Sequence, residues 1–260
     1  MTLAAENLSY GYPGKCIGSE VNLSLGAGEA LCVLGPNGGG KTTLFRTLLG
    51  LLPAQRGMVL LDGKPLQTWS RNALARRLAY VPQAHEGMFA FTVEEVVLMG
   101  RTAHVGLFAS PSAEDRAKAC AAIETLGLGQ LAHEVYTRIS GGERQLTLIA
   151  RAIAQGAGVI VLDEPTASLD FGNRARVLEM LASLAARGLA VLFSTHHPDE
   201  AFACADRVLM LRNGRIITAG PAHEVITAEN LQALYGVPVA VGDLPEGRAC
   251  LPVLRRQGRD

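Results

Sequence analysis

The chain has 260 residues, 48% of them hydrophobic and 18% charged, with 29 Gly and 12 Pro; that profile excludes a disordered or collagen-like chain and allows an α/β core that needs no disulfide or metal staple. Lys+Arg and Asp+Glu are both 24, so no global field draws the chain to nucleic acid or to anionic lipid. The 5 cysteines (Cys16, Cys32, Cys120, Cys204, Cys250) are scattered and never form a CxxC pair, which points to reduced thiols in a cytosolic compartment rather than to disulfides or zinc.

In chain order, the first 25 residues read as antiparallel β structure, without the basic-then-apolar pattern of a secretory signal. An apolar run at 30–34 reads as a buried strand, with a helical pattern beginning near Lys41. Residues 57–62 read as a further antiparallel strand and 78–81 as a core strand. From about 84 to 156 the strand signal gives way to amphipathic segments at 92–100, 113–127 and 141–155, a helical insertion; in the last of them Leu146, Ile149, Ala150 and Ile153 recur at the helical period. Residues 159–162 and 190–194 are buried-strand runs followed by helices starting near Phe171 and Asp199. A hairpin follows, 208–211 with 215–218, joined by Asn213-Gly214. Short Val-, Leu- and Ile-rich strands alternating with helices define an α/β fold with parallel strands covered on both faces. No run of about 18 apolar residues is present, so a membrane role requires another chain to span it.

Three segments carry chemistry. Residues 35–42, GPNGGGKT, follow a strand and open a helix, the context in which glycines let backbone N–H groups converge on phosphates at a helix N-terminus. Lys41 there neutralises the β/γ oxygens and Thr42 ligates Mg²⁺. Residues 159–165, VIVLDEP, end a buried strand in two acids at the edge where open α/β sheets bind ligands; Asp163 is assigned to Mg²⁺ and Glu164 to the attacking water as general base. Residues 139–145, ISGGERQ, place Ser140 at a helix N-cap and Glu143 three positions later, a capping box, with Gly141 and Gly142 exposing N–H groups to an anion.

Together these segments resemble the Walker A, Walker B and signature sequences of an ATP-binding cassette (ABC) ATPase, and other family positions match in order: Gln83 the Q-loop, Ser168-Leu169-Asp170 the D-loop and Thr195-His196 the switch histidine. Tyr12, just before Pro13-Gly14, sits where the family stacks adenine, with Tyr10 as the alternative. The resemblance implies a P-loop NTPase core of ABC-ATPase type, with an antiparallel β subdomain and an inserted helical subdomain, spanning 1–238 (helical part about 84–156) and followed by an extension, 239–260, that packs on the core or contacts a regulator. It implies that ATP is held by Tyr12, Asn37, Gly38, Gly39, Gly40, Lys41, Thr42 and Thr43, and Mg²⁺ by Thr42, Gln83 and Asp163. Glu164, His196, Gln83 and Lys41 take part in catalysis. The Ser140, Gly141 and Gly142 segment and Asp170 face a second cassette, so the chain acts as a homodimer or beside a second cassette chain.

Ile139 and Glu143 replace the family's usual Leu and Gln; Glu143 is expected to turn back to the Ser140 backbone, away from the triphosphate. Gly39 replaces a small side chain in the phosphate loop, and His197, where Asp is common, is given no role. The segments 93–101, 194–201 and 227–238 resemble the importer branch that serves ferric siderophores, haem, cobalamin and molybdate. That branch implies transmembrane permease subunits, indirectly a substrate-binding protein, and a peripheral place on the cytoplasmic face of the cell membrane. Met88, Phe89 and Phe91 either line a groove for a permease helix or pack inside the helical region. A soluble ABC-type ATPase uncoupled from transport is the alternative, but the chain has neither the coiled coil of chromosome-structure ATPases nor the second cassette of translation factors; a phosphate-loop kinase would leave ISGGE unexplained. Arg255, Arg256 and Arg259 read as a solvated tail.

Overall fold

The computed structural model describes residues 1–83, 90–106, 109–167, 169–244 and 247–253. In chain order the elements are β1 (Leu3–Tyr12), β2 (Lys15–Leu25), β3 (Ala30–Leu34), α1 (Lys41–Leu48), β4 (Arg56–Leu61), β5 (Lys64–Pro65), α2 (Arg71–Ala75) and β6 (Leu78–Val81). Then come α3 (Val93–Leu98), α4 (Ala113–Thr125), α5 (Gly141–Gln155), β7 (Val159–Leu162), α6 (Phe171–Ala186), β8 (Ala190–Thr195) and α7 (Pro198–Cys204). The chain continues through β9 (Arg207–Arg212), β10 (Arg215–Pro221), α8 (Ala222–Val225), α9 (Ala228–Tyr235), β11 (Val239–Leu244) and β12 (Gly247–Pro252).

The central sheet is 6-stranded, in the order β10-β9-β3-β8-β7-β6. From β9 to β6 its neighbours run parallel. Period-2 alternation splits each central strand between two cores. Ala30, Cys32 and Leu34 of β3, Ile160 and Leu162 of β7, and Val191 and Phe193 of β8 pack towards α5 and α6. Leu31, Val33, Val159, Val161, Ala190 and Leu192 pack on the other face with Leu44, Phe45 and Leu48 of α1 and with the antiparallel sheet, ordered β2-β1-β4-β5. Burial on both faces is why these strands read as unbroken apolar runs.

Sequence reading placed 208–211 only in a hairpin. β9 in fact also pairs in parallel with β3, from Leu31↔Arg207 to Leu34↔Met210, so the hairpin extends the central sheet. Its turn residues Asn213 and Gly214 have φ of 50° and 74°, the positive values a two-residue turn of this hand requires. A Cβ on Gly214 would also lie 1.9 Å from the Ile17 carbonyl oxygen, so glycine is needed there for space as well.

In the helical region, α3, α4 and α5 pack on one another through Val93, Val97, Ala119, Ile123 and Ile149. Buried Arg101 ties the three-residue 3₁₀ turn after α3 to both other helices. Its Nε donates to Asp115 Oδ1 at 2.9 Å, and its Nη1 donates to the Ala154 and Gln155 carbonyls at 2.9 and 3.1 Å, which satisfies carbonyls left over at the end of α5. Among the described residues no helix is long and apolar enough to cross a membrane.

Residues 239–244 and 247–252 form an antiparallel hairpin. It packs on α7, where Asp199 Oδ1 accepts from Cys250 N at 2.8 Å and the Arg248 guanidinium lies 5.6 Å from the Phe202 ring centroid. Of the two expectations for the extension, its described part therefore meets the packed one; Arg255, Arg256 and Arg259 lie outside the described residues.

Candidate functional site

The loop between β3 and α1 turns on two left-handed glycines, Gly38 (φ 77°) and Gly40 (φ 97°). Gly40 is the N-cap of α1; no side chain caps the helix and its first turn holds no acid, so its N–H groups stay available to an anion. A Cβ at Gly40 would lie 3.0 Å from Ile17 Cγ2 and 3.1 Å from the Tyr10 hydroxyl; β1 and β2 thus brace the loop from beneath. The loop walls a cavity of about 340 Å³ lined by Ile17, Asn37, Gly38, Gly39, Gly40, Lys41, Thr42, Thr43, Gln83 and Glu164. Residues 37–43, 83 and 164 therefore meet in one place.

Buried Lys41 donates from Nζ to the Gly35 and Pro36 carbonyls at 2.8 and 3.1 Å and pairs with Glu164 Oε1 at 3.0 Å. The other carboxylate oxygen, Glu164 Oε2, lies 3.3 Å from His196 Nδ1. One carboxylate therefore spans the gap between the phosphate-loop lysine and the histidine after β8. Glu164 holds this place with φ of 46°, a region costly for a residue with a Cβ.

What fixes it is Ser194, the penultimate residue of β8. Its Oγ accepts from Glu164 N at 3.0 Å and donates to Asp163 Oδ1 at 2.7 Å, so one hydroxyl orients both acids. A second buried junction lies beside it. Glu200 of α7 accepts from Thr166 Oγ1 at 2.8 Å and from Thr195 Oγ1, with Arg174 Nε 3.5 Å from its other oxygen. His197 lies against His196, ring centroids 4.1 Å apart; burial first, then the neighbouring His196, lowers its pKa.

Ser194, Glu200 and Thr166 were not singled out in the sequence. The only signal was a pair of hydroxyl residues, Ser194-Thr195, ending an apolar strand next to the strand that carries the acids.

Tyr12, Ser140, Gly141, Gly142 and Asp170 do not line the cavity. Tyr12 is 40% exposed whereas Tyr10 is fully buried; of the two aromatics only Tyr12 offers a face to a ligand. Ser140 caps α5, accepting from Glu143 N at 3.3 Å and donating its own N–H to Glu143 Oε2 at 2.7 Å. The carboxylate does turn back onto the Ser140 backbone, as expected. Asp170 caps α6, accepting from Asn173 N at 2.8 Å; Ser168 lies outside the described residues. Thr42 and Gln83 line the cavity, whereas Asp163 and His196 are not among its lining residues and Asp163 is bonded to Ser194; a hydroxyl, an amide and a carboxylate are donor types suited to a hard cation such as Mg²⁺.

Comparison with known proteins agrees with this geometry. Residues 19–167 match the ABC transporter family model. The chain is 38% identical over 239 residues to the molybdate import ATP-binding protein of Haemophilus influenzae, covering 91% of this chain and 89% of that protein. It is 39% identical over 253 residues to the hemin import ATP-binding protein of Streptomyces coelicolor, covering 97% and 90%. Among solved structures, a chain of an inward-facing ABC transporter described as metal-chelate type superposes with a TM-score of 0.85 at 35% identity, covering 97% of both chains.

Proposed function

Because the chain belongs to the ABC transporter ATP-binding family, we propose that it binds and hydrolyses ATP to power import of haem, cobalamin, molybdate or a metal chelate such as a ferric siderophore. The observation that carries the catalytic part is the Glu164 carboxylate held between Lys41 and His196 at the edge of the phosphate-loop cavity. Adenine stacks on Tyr12. The loop backbone at Asn37, Gly38, Gly39 and Gly40 and the first turn of α1, including Thr43, hold the phosphates. Triphosphate oxygens draw Lys41 from Glu164, whose carboxylate then accepts the proton of the attacking water while His196 contacts the γ-phosphate. Thr42, Gln83 and Asp163 would hold Mg²⁺, which would supply charge neutralisation at the phosphates.

The signature residues Ser140, Gly141 and Gly142 lie off the cavity of their own chain, which supports a site completed by a second cassette, with Asp170 at the opposing subunit. The cargo assignment rests on the importers named above and on the importer-like segments 93–101, 194–201 and 227–238. The same reading places the chain at the cytoplasmic face of the membrane against permease subunits, with a substrate-binding protein beyond them.

For the permease contact, Phe91 with Glu95, Leu98, Met99 and Val105 lines a surface cavity of about 450 Å³, a fit for the apolar face of a short helix. Met88 and Phe89, assigned to the same groove, lie outside the described residues. The test of the two-cassette site is the solution mass of Glu164→Gln protein. ATP should double it, and adding Ser140→Arg should abolish the doubling; a monomer in the presence of bound ATP, with permease subunits supplied, would refute the paired site.

A further inference from the structure

The C-terminal segment reaches the backbone of the catalytic histidine, through a residue that does not line the nucleotide cavity. Tyr235, the last residue of α9, donates its hydroxyl to the His196 carbonyl at 2.9 Å, and burial raises its pKa well above that of a free phenol, so it remains a donor. The same peptide unit is held at its other polar atom, since His197 N donates to Thr195 Oγ1 at 3.0 Å. The peptide leading away from His196 is thus pinned at both C=O and N–H.

α9 is firmly seated. Thr227 caps it, Asn230 Nδ2 donates to the Val225 carbonyl at 2.8 Å, and Leu231 and Leu234 are buried. The β11–β12 hairpin then holds α7, the helix that follows His197, through Asp199 to Cys250 N and Arg248 over Phe202.

We propose that α9 and the β11–β12 hairpin form a clamp on the His196 loop and that Tyr235 is a positioning residue, setting the height of His196 against Glu164 Oε2 and hence against the transferred phosphate. The proposal rests on the roles given above to His196 and Glu164 and extends them to a segment outside the nucleotide motifs. A neutral hydrogen bond is a modest contact, but small displacements of a catalytic group are amplified in turnover.

Tyr235→Phe keeps the ring and removes only the donor. In the full chain it should lower kcat about 3- to 30-fold and leave KM for ATP within about twofold. In a His196→Ala background the same change should cost nothing further, and the His196 imidazole NMR resonance should shift in the single variant. Unchanged kcat with an unmoved resonance, or an equal loss in both backgrounds, would overturn the clamp. If His196→Ala itself turned over like the wild type, the failure would belong to the catalytic reading of His196, and the clamp would fall with it.

Discussion

Ser194→Ala removes one oxygen from the centre of the site with almost no change in volume. That oxygen donates to the buried Asp163 carboxylate at 2.7 Å and accepts from Glu164 N at 3.0 Å. A hydrogen bond to a charged group contributes about 1.5–3 kcal/mol, and the loss includes leaving the partner less well satisfied. For a chain of this length the unfolding entropy is about 0.55 kcal/mol/K, so Tm should fall by about 3–5 °C. Turnover should fall further than stability. Glu164 sits at φ 46°, a conformation costing about 1–3 kcal/mol that persists only while its surroundings hold it, and Ser194 is the side chain bonded to its N–H. Releasing that anchor lets the carboxylate leave the line between Lys41 and His196, and a loss of about 1.4–2.8 kcal/mol in the transition state is about 10- to 100-fold in kcat. The assay is steady-state ATP hydrolysis beside a thermal melt. A kcat within about twofold of wild type would refute the argument, because Asp163 and Glu164 would then be oriented without the hydroxyl.

Asp115 gives a pH prediction. The Ser112 hydroxyl, then Arg101, then the Ser112 N–H hold its carboxyl well below the usual carboxylate range. A folded pKa below the unfolded one stabilises fully above the unfolded value, about 3.9, and the contribution is lost as pH falls through the folded value. The Tm gap between wild type and Asp115→Asn should therefore be level above about pH 5 and narrow below about pH 4; closure already above pH 5 would contradict it. Phe91→Glu should uncouple transport from hydrolysis in the assembled transporter while basal ATPase of the isolated chain persists; coupled transport at wild-type rate would remove Phe91 from the permease contact.

Sequence made the local parts of this site legible and left the long-range ones hidden. The phosphate loop is written in eight consecutive residues because glycine spacing, strand and helix N-terminus are all local, and the Ser140–Glu143 capping box closes within four. Ser194 and Tyr235 act on groups 30 or more positions away, and a lone Ser at a strand end or Tyr at a helix end carries no periodic or spacing signal. Strand parity could not separate Tyr10 from Tyr12, since residues two apart share a face. What separates them is an irregularity in the β1–β2 pairing between Tyr10 and Gly11: Tyr10 faces Gly18 and Gly40, while Tyr12, paired with Lys15 at the hairpin end, is exposed. β9 was ambiguous for a related reason. Val208–Leu211 is apolar enough for a strand buried on both faces, yet Asn213-Gly214 advertises a hairpin, and both are true at once.

The long-range contacts share a direction that suggests what they are for. Asp163, Ser194, Glu164, His196 and Tyr235 form one chain of contacts from the end of β7 to α9, and Glu200 ties Thr166, after the acids, to Thr195, before the histidine. The segment after β7 is therefore joined twice to the end of β8 and the helix that follows, once through Ser194 and once through Glu200. Neither can move alone without breaking a buried hydrogen bond to a charged group, a cost of about 1.5–3 kcal/mol. A displacement of Lys41 on the phosphate side pulls on the same carboxylate that His196 contacts, so the arrangement favours concerted movement of Glu164, His196 and α7, which carries Glu200, over independent side-chain adjustment. That is the behaviour required of a site whose chemistry must be felt beyond its own cavity.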